Sequence, residues 1–274
     1  MSVTAIIAGQ GGLPVHLVAA LRAAGAPFVA GSLDGFPPDL PDETPISFRI
    51  ERLVPFLDHL VGLGVKRVVF AGAIRRPRIE PELFDPQTAA LVPRIVGAMQ
   101  TGDDAVLRAV AAIFEDWDME VVGAEEIAPD LVPGAGILCG APTEADRRDA
   151  ARAAEIVKDL GPLDIGQGAV VAQGLCLAIE TLPGTDAMLG FVAASCGGLR
   201  ANPKGAKGVF YKAPKPGQDR RFDLPTLGPE TVRAAARAGL AGIVWEAGGA
   251  ILLDRKVAEA EAEASGLFLW AREP

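Results

Sequence analysis

The chain has 274 residues, room for two domains of about 100–200 residues each or one large α/β domain. Half of it is apolar, which excludes a disordered or collagen-like chain. Its 26 basic and 35 acidic residues give a net charge of −9, which argues against bulk nucleic-acid binding but leaves room for a local basic pocket that takes phosphate.

Val3–Ala8 is a short apolar run with β-branched residues and reads as a buried strand. Gly9-Gln10-Gly11-Gly12 is a turn. Residues 13–24 then carry helical spacing at Leu13, Leu17 and Leu21, with Gly25 as the stop. Pro14 suits the first helical turn, where its missing N–H costs nothing. Residues 28–30 read as a second strand, and the prolines from Pro37 to Pro41 mark a surface loop. Residues 53–64 have the pattern of a helix and 67–71 that of a buried strand, closed by Gly72-Ala73-Ile74-Arg75-Arg76-Pro77. Asp103 and Asp104 are placed to cap a helix whose apolar face is Val106, Val110, Ile113, Phe114 and Trp117. Residues 120–123 read as another strand. Strands alternating with helices predict a parallel sheet in a Rossmann-like amino-terminal half.

The Pro- and Gly-rich stretch from Pro129 to Pro142 breaks this rhythm and places a domain boundary, giving domains at 1–132 and 133–274. Thr143-x-x-Asp146 is a capping-box pattern before a helix that buries Ala153, Ile156, Val157 and Leu160 and ends at Gly161. Residues 169–172 and Leu175–Ile179 read as strands joined at Gln173-Gly174 by a hairpin turn. Val209–Lys212 is a short strand. Residues 229–239 follow as a helix, 243–246 and 250–253 as strands, and 256–265 as a polar helix. Cys139, Cys176 and Cys196 form neither a disulfide framework nor a CxxC metal pair, so a reducing cytoplasm is expected. No run of 18 apolar residues predicts a membrane span, and the amino terminus lacks the basic start of a signal peptide.

Three regions carry candidate chemistry. The turn Gly9-Gln10-Gly11-Gly12 lets backbone N–H groups approach a phosphate at a helix start. A dinucleotide fingerprint would want glycine or alanine at Pro14, and Asp34 fits the ribose-binding offset only loosely; a plain strand–helix turn reads equally well. Arg75-Arg76-Pro77-Arg78 after a strand suits phosphate oxygens, or is a solvated surface cluster. Gly102-Asp103-Asp104 is a ligand contact or a helix cap.

The third region is the carboxyl-terminal half. Asp164-Ile165-Gly166-Gln167, then Glu180 at the end of an apolar strand, then Gly184-Thr185-Asp186-Ala187-Met188 lead to a stretch from Lys212 to Pro229 too rich in Pro, Gly and charge to be core. Asp186, Asp219 and Asp223 are of the type that holds Mg²⁺, a hard ion that takes carboxylates and keeps waters. Lys212, Lys215, Arg220 and Arg221 suit phosphate oxygens. The plainer reading makes some of these acids partners of neighbouring arginines. His16 and His59 have no partner at metal-ligand spacing, and Ser195 lacks a nucleophile-elbow context.

These segments resemble a family. Ile7-Ala8-Gly9-Gln10-Gly11-Gly12-Leu13-Pro14, Gly102-Asp103-Asp104, Leu163-Asp164-Ile165-Gly166-Gln167, Gly184-Thr185-Asp186-Ala187-Met188 and Ala238-Gly239-Leu240-Ala241-Gly242 occur in order. With them stands the most specific run, Lys215-Pro216-x-Gln218-Asp219-x-Arg221-x-Asp223-Leu224-Pro225. The set is similar to that of the cytoplasmic UDP-2,3-diacylglucosamine pyrophosphatases of lipid A synthesis, in the branch distinct from the calcineurin-like metallophosphoesterases. Two positions depart from that pattern: Pro183 stands where a glutamate precedes Gly-Thr-Asp, and Gly190-Phe191 where an arginine follows the methionine.

The resemblance implies an α/β protein with a Rossmann-like amino-terminal domain and a smaller carboxyl-terminal α/β domain. It implies Mg²⁺-dependent hydrolysis of the pyrophosphate, with water attacking on the sugar side, to UMP and 2,3-diacylglucosamine 1-phosphate. Asp219, Asp223 and Asp186 are then the catalytic candidates, with Asp219 and Asp223 as metal ligands and one of those two essential. The implied substrate contacts are Gly9, Gly11, Gly12, Arg75, Arg76 and Asp104 in the first half. In the second they are Gln167, Thr185, Lys212, Lys215, Gln218, Arg221 and Thr226. The implied partners are the lipid nucleotide, the inner-membrane surface in peripheral contact and a second copy of the chain; no nucleic acid is implied. A nucleotide- or lipid-sensing module and an NAD(P)-dependent oxidoreductase are the alternatives.

Overall fold

The computed structural model describes residues 2–74, 78–99, 103–200, 202–222 and 224–274. The chain divides into two units, Met1–Pro129 and Asp130–Pro274.

In the first unit the elements run β1 (Val3–Ala8), α1 (Leu13–Ala23), β2 (Phe28–Leu33), β3 (Ile46–Phe48), α2 (Leu53–Gly62) and β4 (Val65–Ala71). They continue with α3 (Pro86–Ala89), α4 (Val92–Met99), α5 (Asp103–Asp116), β5 (Glu120–Val121) and α6 (Ala124–Ile127). All five strands are parallel, in the order β3-β2-β1-β4-β5. The central β1 buries Thr4 to Ala8 without a break, which is why its sequence shows no alternation. Leu17, Leu57, Leu60, Ile113 and Phe114 pack in the core, and the Phe114 ring meets Phe70 edge to face at 5.2 Å. Burying each such side chain contributes about 1.5–3 kcal/mol. β2 runs past the expected 28–30 because Gly31 and Ser32, which break the apolar pattern, still pair with Ile7 and Ala8. α5 begins at Asp103, so Asp103 and Asp104 lie inside its first turn rather than capping it.

The second unit runs β6 (Gly136–Cys139), α7 (Glu144–Leu160), β7 (Gly168–Ala172), β8 (Leu175–Ile179), α8 (Gly184–Ser195) and β9 (Val209–Lys212). It ends with β10 (Thr226–Leu227), α9 (Pro229–Arg237), β11 (Gly242–Glu246), β12 (Ile251–Leu252), α10 (Arg255–Ala264) and β13 (Phe268–Arg272). Its main sheet has the order β6-β13-β11-β9-β7-β8. β9, β11 and β13 are parallel, while β6, β7 and β8 pair antiparallel. Strand alternation sorts the core into two layers. Phe210, Ile243, Trp245 and Leu269 pack with Leu189, Val192, Val232, Ala235 and Ala258 of α8, α9 and α10. Val171, Tyr211, Val244 and Phe268 pack with Ala150, Ala153 and Val157 of α7. This unit, expected to be the smaller, carries the larger sheet, of six strands against five.

The Thr143–Asp146 capping box forms as the sequence predicts: Thr143 Oγ1 accepts from Asp146 N at 3.2 Å, and Asp146 Oδ2 accepts from Thr143 N at 2.9 Å. Gln173 and Gly174 both have positive φ, 55° and 79°, which suits the twist of a two-residue hairpin between β7 and β8. Gly184-Thr185-Asp186-Ala187-Met188, a segment of candidate chemistry in the sequence, forms the start of α8.

Candidate functional site

The pairing register of the second unit brings the carboxyl ends of its parallel strands to one edge. Lys212, the last residue of β9, is opposite Gly168, the first of β7, and opposite Trp245 near the end of β11. Glu246 is opposite Arg272 at the end of β13, and Ile179 at the end of β8 is opposite Ala169. Open α/β sheets bind ligands outside such strand ends.

Side chains converge on this edge. Lys212 is buried, and its Nζ donates to both Glu180 carboxylate oxygens at 3.2 Å and to Thr185 Oγ1 in the first turn of α8. Alternation explains the direction: Phe210 and Lys212 share the face on which α8 lies. Glycine at 168 makes room for this pair, since a Cβ there would stand 2.8 Å from the buried Phe210 ring and 2.7 Å from Glu180 Oε2.

The loop after β9 folds back on the same edge. Ala213 N donates to Gln167 O at 3.0 Å. Gln167 Nε2 donates to Gln218 Oε1 at 2.9 Å, and that oxygen also accepts from Lys215 N at 2.9 Å. Lys215 Nζ pairs with Asp164, and Arg220 Nη2 pairs with Glu246 Oε1 at 2.6 Å. Asp219 accepts from its own loop: from Arg221 N at 3.1 Å, from Nε at 3.0 Å and from Nη2 at 2.7 Å. This fork fixes the orientation of the carboxylate. On the other face of β9, burial pushes the Tyr211 phenol above its usual range, with Glu246 adding to the rise.

Eight predicted residues thus meet on one edge: Gln167, Thr185, Lys212, Lys215, Gln218, Asp219, Arg220 and Arg221. Asp186 follows Thr185 in the first turn of α8, exposed and without a polar partner among the described residues. Thr226 is exposed on β10, with its hydroxyl 3.5 Å from Leu224 O. Asp223, Arg75 and Arg76 lie outside the described residues, as does the side chain of Asp104. Glu180, Asp164 and Glu246 were not among the predicted contacts. Glu180 had a signal, as the acid that closes an apolar strand, and Asp164 stands in the run Asp164-Ile165-Gly166-Gln167; Glu246 has none in the sequence.

In the first unit the glycine turn is built against the loop after β4. Gly9 N donates to Ala71 O at 2.8 Å, and Gln10 and Ala73 exchange backbone hydrogen bonds at 3.0 and 2.8 Å. A Cβ on Gly9 would stand 2.6 Å from Ala73 O, so this crossing alone requires glycine there. Gly11 and Gly12 lead directly into α1. The turn lies where strand order reverses, between β1 and β4. Asp34, the loose ribose-binding candidate, is paired with Arg49 at 3.4 Å.

Among the described residues no three His, Cys, Asp or Glu side chains converge as a metal cage. A cavity of about 640 Å³ opens at the opposite edge of the second sheet, lined by Thr143, Asp146, Lys204, Lys207 and Glu263. Its two carboxylates make it a poor cradle for a diphosphate.

Family models of the LpxI N-terminal domain and the LpxI C-terminal domain match residues 3–131 and 134–270. The chain belongs to the LpxI family. It is 39 % identical over 271 residues, 98 % of this chain and 97 % of the relative, to the UDP-2,3-diacylglucosamine pyrophosphatase LpxI of Caulobacter vibrioides. The strand-end cluster therefore lies wholly in the LpxI C-terminal domain, and the glycine turn in the LpxI N-terminal domain.

Proposed function

We propose that this chain is a UDP-2,3-diacylglucosamine diphosphatase of lipid A biosynthesis, which hydrolyses the substrate's pyrophosphate to UMP and 2,3-diacylglucosamine 1-phosphate. The observation that carries this reading is the convergence of Lys215, Arg220, Arg221 and Asp219 on one strand-end edge of a chain that is LpxI over nearly its whole length.

Magnitudes divide the cations by role. Lys215, Arg220 and Arg221 are 29 %, 51 % and 39 % exposed, and ion pairs of that kind are worth about 0–1 kcal/mol. Exchanging the carboxylate partners of Lys215 and Arg220 for diphosphate oxygens therefore costs little, while Arg221 stays on Asp219. Lys212 and Glu180 are 6 % and 11 % exposed, so their pair stays in place and positions the first turn of α8. That turn presents Thr185 and Asp186. On this reading Gln167 and Gln218 hold the loop that carries Asp219, and Gly11 and Gly12 offer backbone N–H groups to the nucleotide.

The donor chemistry fits Mg²⁺, which is commonly held by one or two carboxylates together with substrate phosphates rather than by a full protein cage. Asp219 and Asp223 would hold it, and when bound it neutralises diphosphate charge and orients the attacking water. Asp219 suits the task because Arg221 keeps its carboxylate in one orientation. A substrate with two acyl chains resides in a membrane, so the protein meets that membrane peripherally; among the described residues no helix is long and apolar enough to cross one.

The test is turnover. Purified protein with UDP-2,3-diacylglucosamine and Mg²⁺ releases UMP, and chelation abolishes the release. Asp219→Ala and Asp223→Ala each lower kcat by about a hundredfold or more. Background turnover by the wild type, or full rates in both variants, overturns the reading.

A further inference from the structure

From Ala187 to Gln218 the chain has no aspartate or glutamate, yet it carries Arg200, Lys204, Lys207, Lys212 and Lys215 in a protein of net charge −9. Lys212 and Lys215 have acidic partners at the strand-end edge. The other three lie at the opposite end of the same sheet, in the loop that leads into β9. The Arg200 guanidinium is committed to backbone, donating to Lys207 O at 2.8 Å and to Ala238 O at 3.1 Å. Lys204 and Lys207 are exposed, and their ammonium groups have no partner among the described residues.

The same corner is apolar. Leu175, Phe191 and Leu199 are 52 %, 53 % and 57 % exposed. Hydrogen bonds tie their elements together. Gln173 Nε2, in the turn before Leu175, donates to Asn202 O at 2.7 Å and to Ala206 O at 3.1 Å. Cys196 at the end of α8 has its Sγ 3.9 Å from Leu177 O of β8. Past Asp186 in its first turn, the outer face of α8 shows Ala187, Gly190, Phe191 and Ala194 and no further charge, where a surface helix ordinarily carries its polar side. β8 is the terminal strand of its sheet and has no charged residue to guard that edge.

We infer that this corner is a docking surface for an anionic lipid bilayer, with Phe191 and Leu199 entering the interface and Lys204 and Lys207 meeting lipid phosphates. Exposed apolar side chains beside lysines are what an anionic leaflet binds, and here the two lysines stand against one exposed acid, Glu263, on the same cavity. A second copy of the chain fits less well, since a two-fold contact here would set lysines against lysines. The inference deepens the function proposed above and rests on it for the membrane origin of the substrate, but vesicle binding does not require turnover.

The test is co-sedimentation of the full chain with vesicles of phosphatidylcholine alone and of phosphatidylcholine with an equal share of phosphatidylglycerol. The wild type partitions onto the anionic vesicles, and added salt weakens the binding. Lys204→Ala and Lys207→Ala each lower the partition coefficient about fivefold. Phe191→Ser with Leu199→Ser lowers it about tenfold or more. Lys256→Glu, on α10 outside the segment, leaves it unchanged. None of these variants alters hydrolysis of detergent-dispersed substrate. Equal partition onto both vesicle types, no partition, or full binding by the lysine variants overturns the proposal. So does a wild-type dimer that becomes monomeric in the Phe191→Ser, Leu199→Ser variant, because the face is then a self-interface. An inactive wild type that still binds anionic vesicles refutes the hydrolase reading alone.

Discussion

Lys212 shows how far a residue's role depends on contacts that the sequence does not display. In the sequence it stands among other cations at the head of a Pro- and Gly-rich stretch and reads as a phosphate clamp. In the fold it is buried against Glu180, 32 positions earlier, because β8 and β9 flank β7 and both deliver their last residues to one edge. Removing one member of such a pair strands a buried charge, at a cost of about 3–5 kcal/mol. Lys212→Met and Glu180→Leu are each expected to lower stability by that amount in urea unfolding. The double variant, with no charge left to strand, should recover most of the loss. If Lys212 acts only by positioning α8, the double variant also regains part of its kcat. Full stability with no recovered activity would instead give Lys212 direct contact with substrate. Asp219, Gln218 and Lys215 were legible because they lie within one short run. Glu246 was not, since only the sheet brings it near Arg220.

At the level of elements, legibility followed local signals. α7 announces itself by its capping box and β1 by an unbroken apolar run, and both were read with their starts in place. α8 is not legible as a helix, because past Asp186 its outer face offers no polar stripe to set the period. β6 and β13 went unread; their pairing is antiparallel and distant in sequence. The hairpin of β7 and β8 was read from Gln173-Gly174, but its anchor was not. Asp149, 3 % exposed on α7, accepts from Gln173 N at 2.9 Å and from Gly174 N at 2.7 Å. Asp149→Ala leaves two turn amides without acceptors and is expected to destabilise the second unit by about 1–3 kcal/mol. Thr143→Ala, which removes only a helix cap, should cost about 1 kcal/mol. Hydrogen exchange separates the two. Asp149→Ala should release amides of β7 and β8, while Thr143→Ala should release those at the start of α7. Faster exchange at α7 in both variants would count against Asp149 as the anchor of the turn.

For the whole molecule, acid should act unevenly. The first unit contains two carboxylates held below their usual values of 4.5 and 3.8, those of Glu51 and Asp85. Burial pushes both upward, but hydrogen bonds outweigh it. Glu51 accepts from Glu80 N at 2.8 Å and from Arg49 Nε at 3.3 Å. Asp85 accepts from Thr88 Oγ1 at 2.6 Å and from the amides of Thr88 and Gln87 at 2.9 and 3.0 Å. The sign follows from proton counting. Between the folded and unfolded values the unfolded chain binds more protons, so stability rises with pH there. The contribution is complete above the unfolded values and is lost as pH falls through the folded ones. In the second unit Arg233 holds the Glu230 carboxyl below its usual value, but that pair is exposed and contributes little to stability. Trp117 belongs to the first unit, while Trp245 and Trp270 belong to the second, so single-tryptophan variants follow each unit by fluorescence. Urea midpoints read from Trp117 should fall steeply between about pH 5 and about pH 3, faster than those read from Trp245. Asp85→Asn should flatten the Trp117 dependence, because an amide has no proton to gain. Parallel curves from the two reporters would show that Glu51 and Asp85 do not set the acid limit of the first unit.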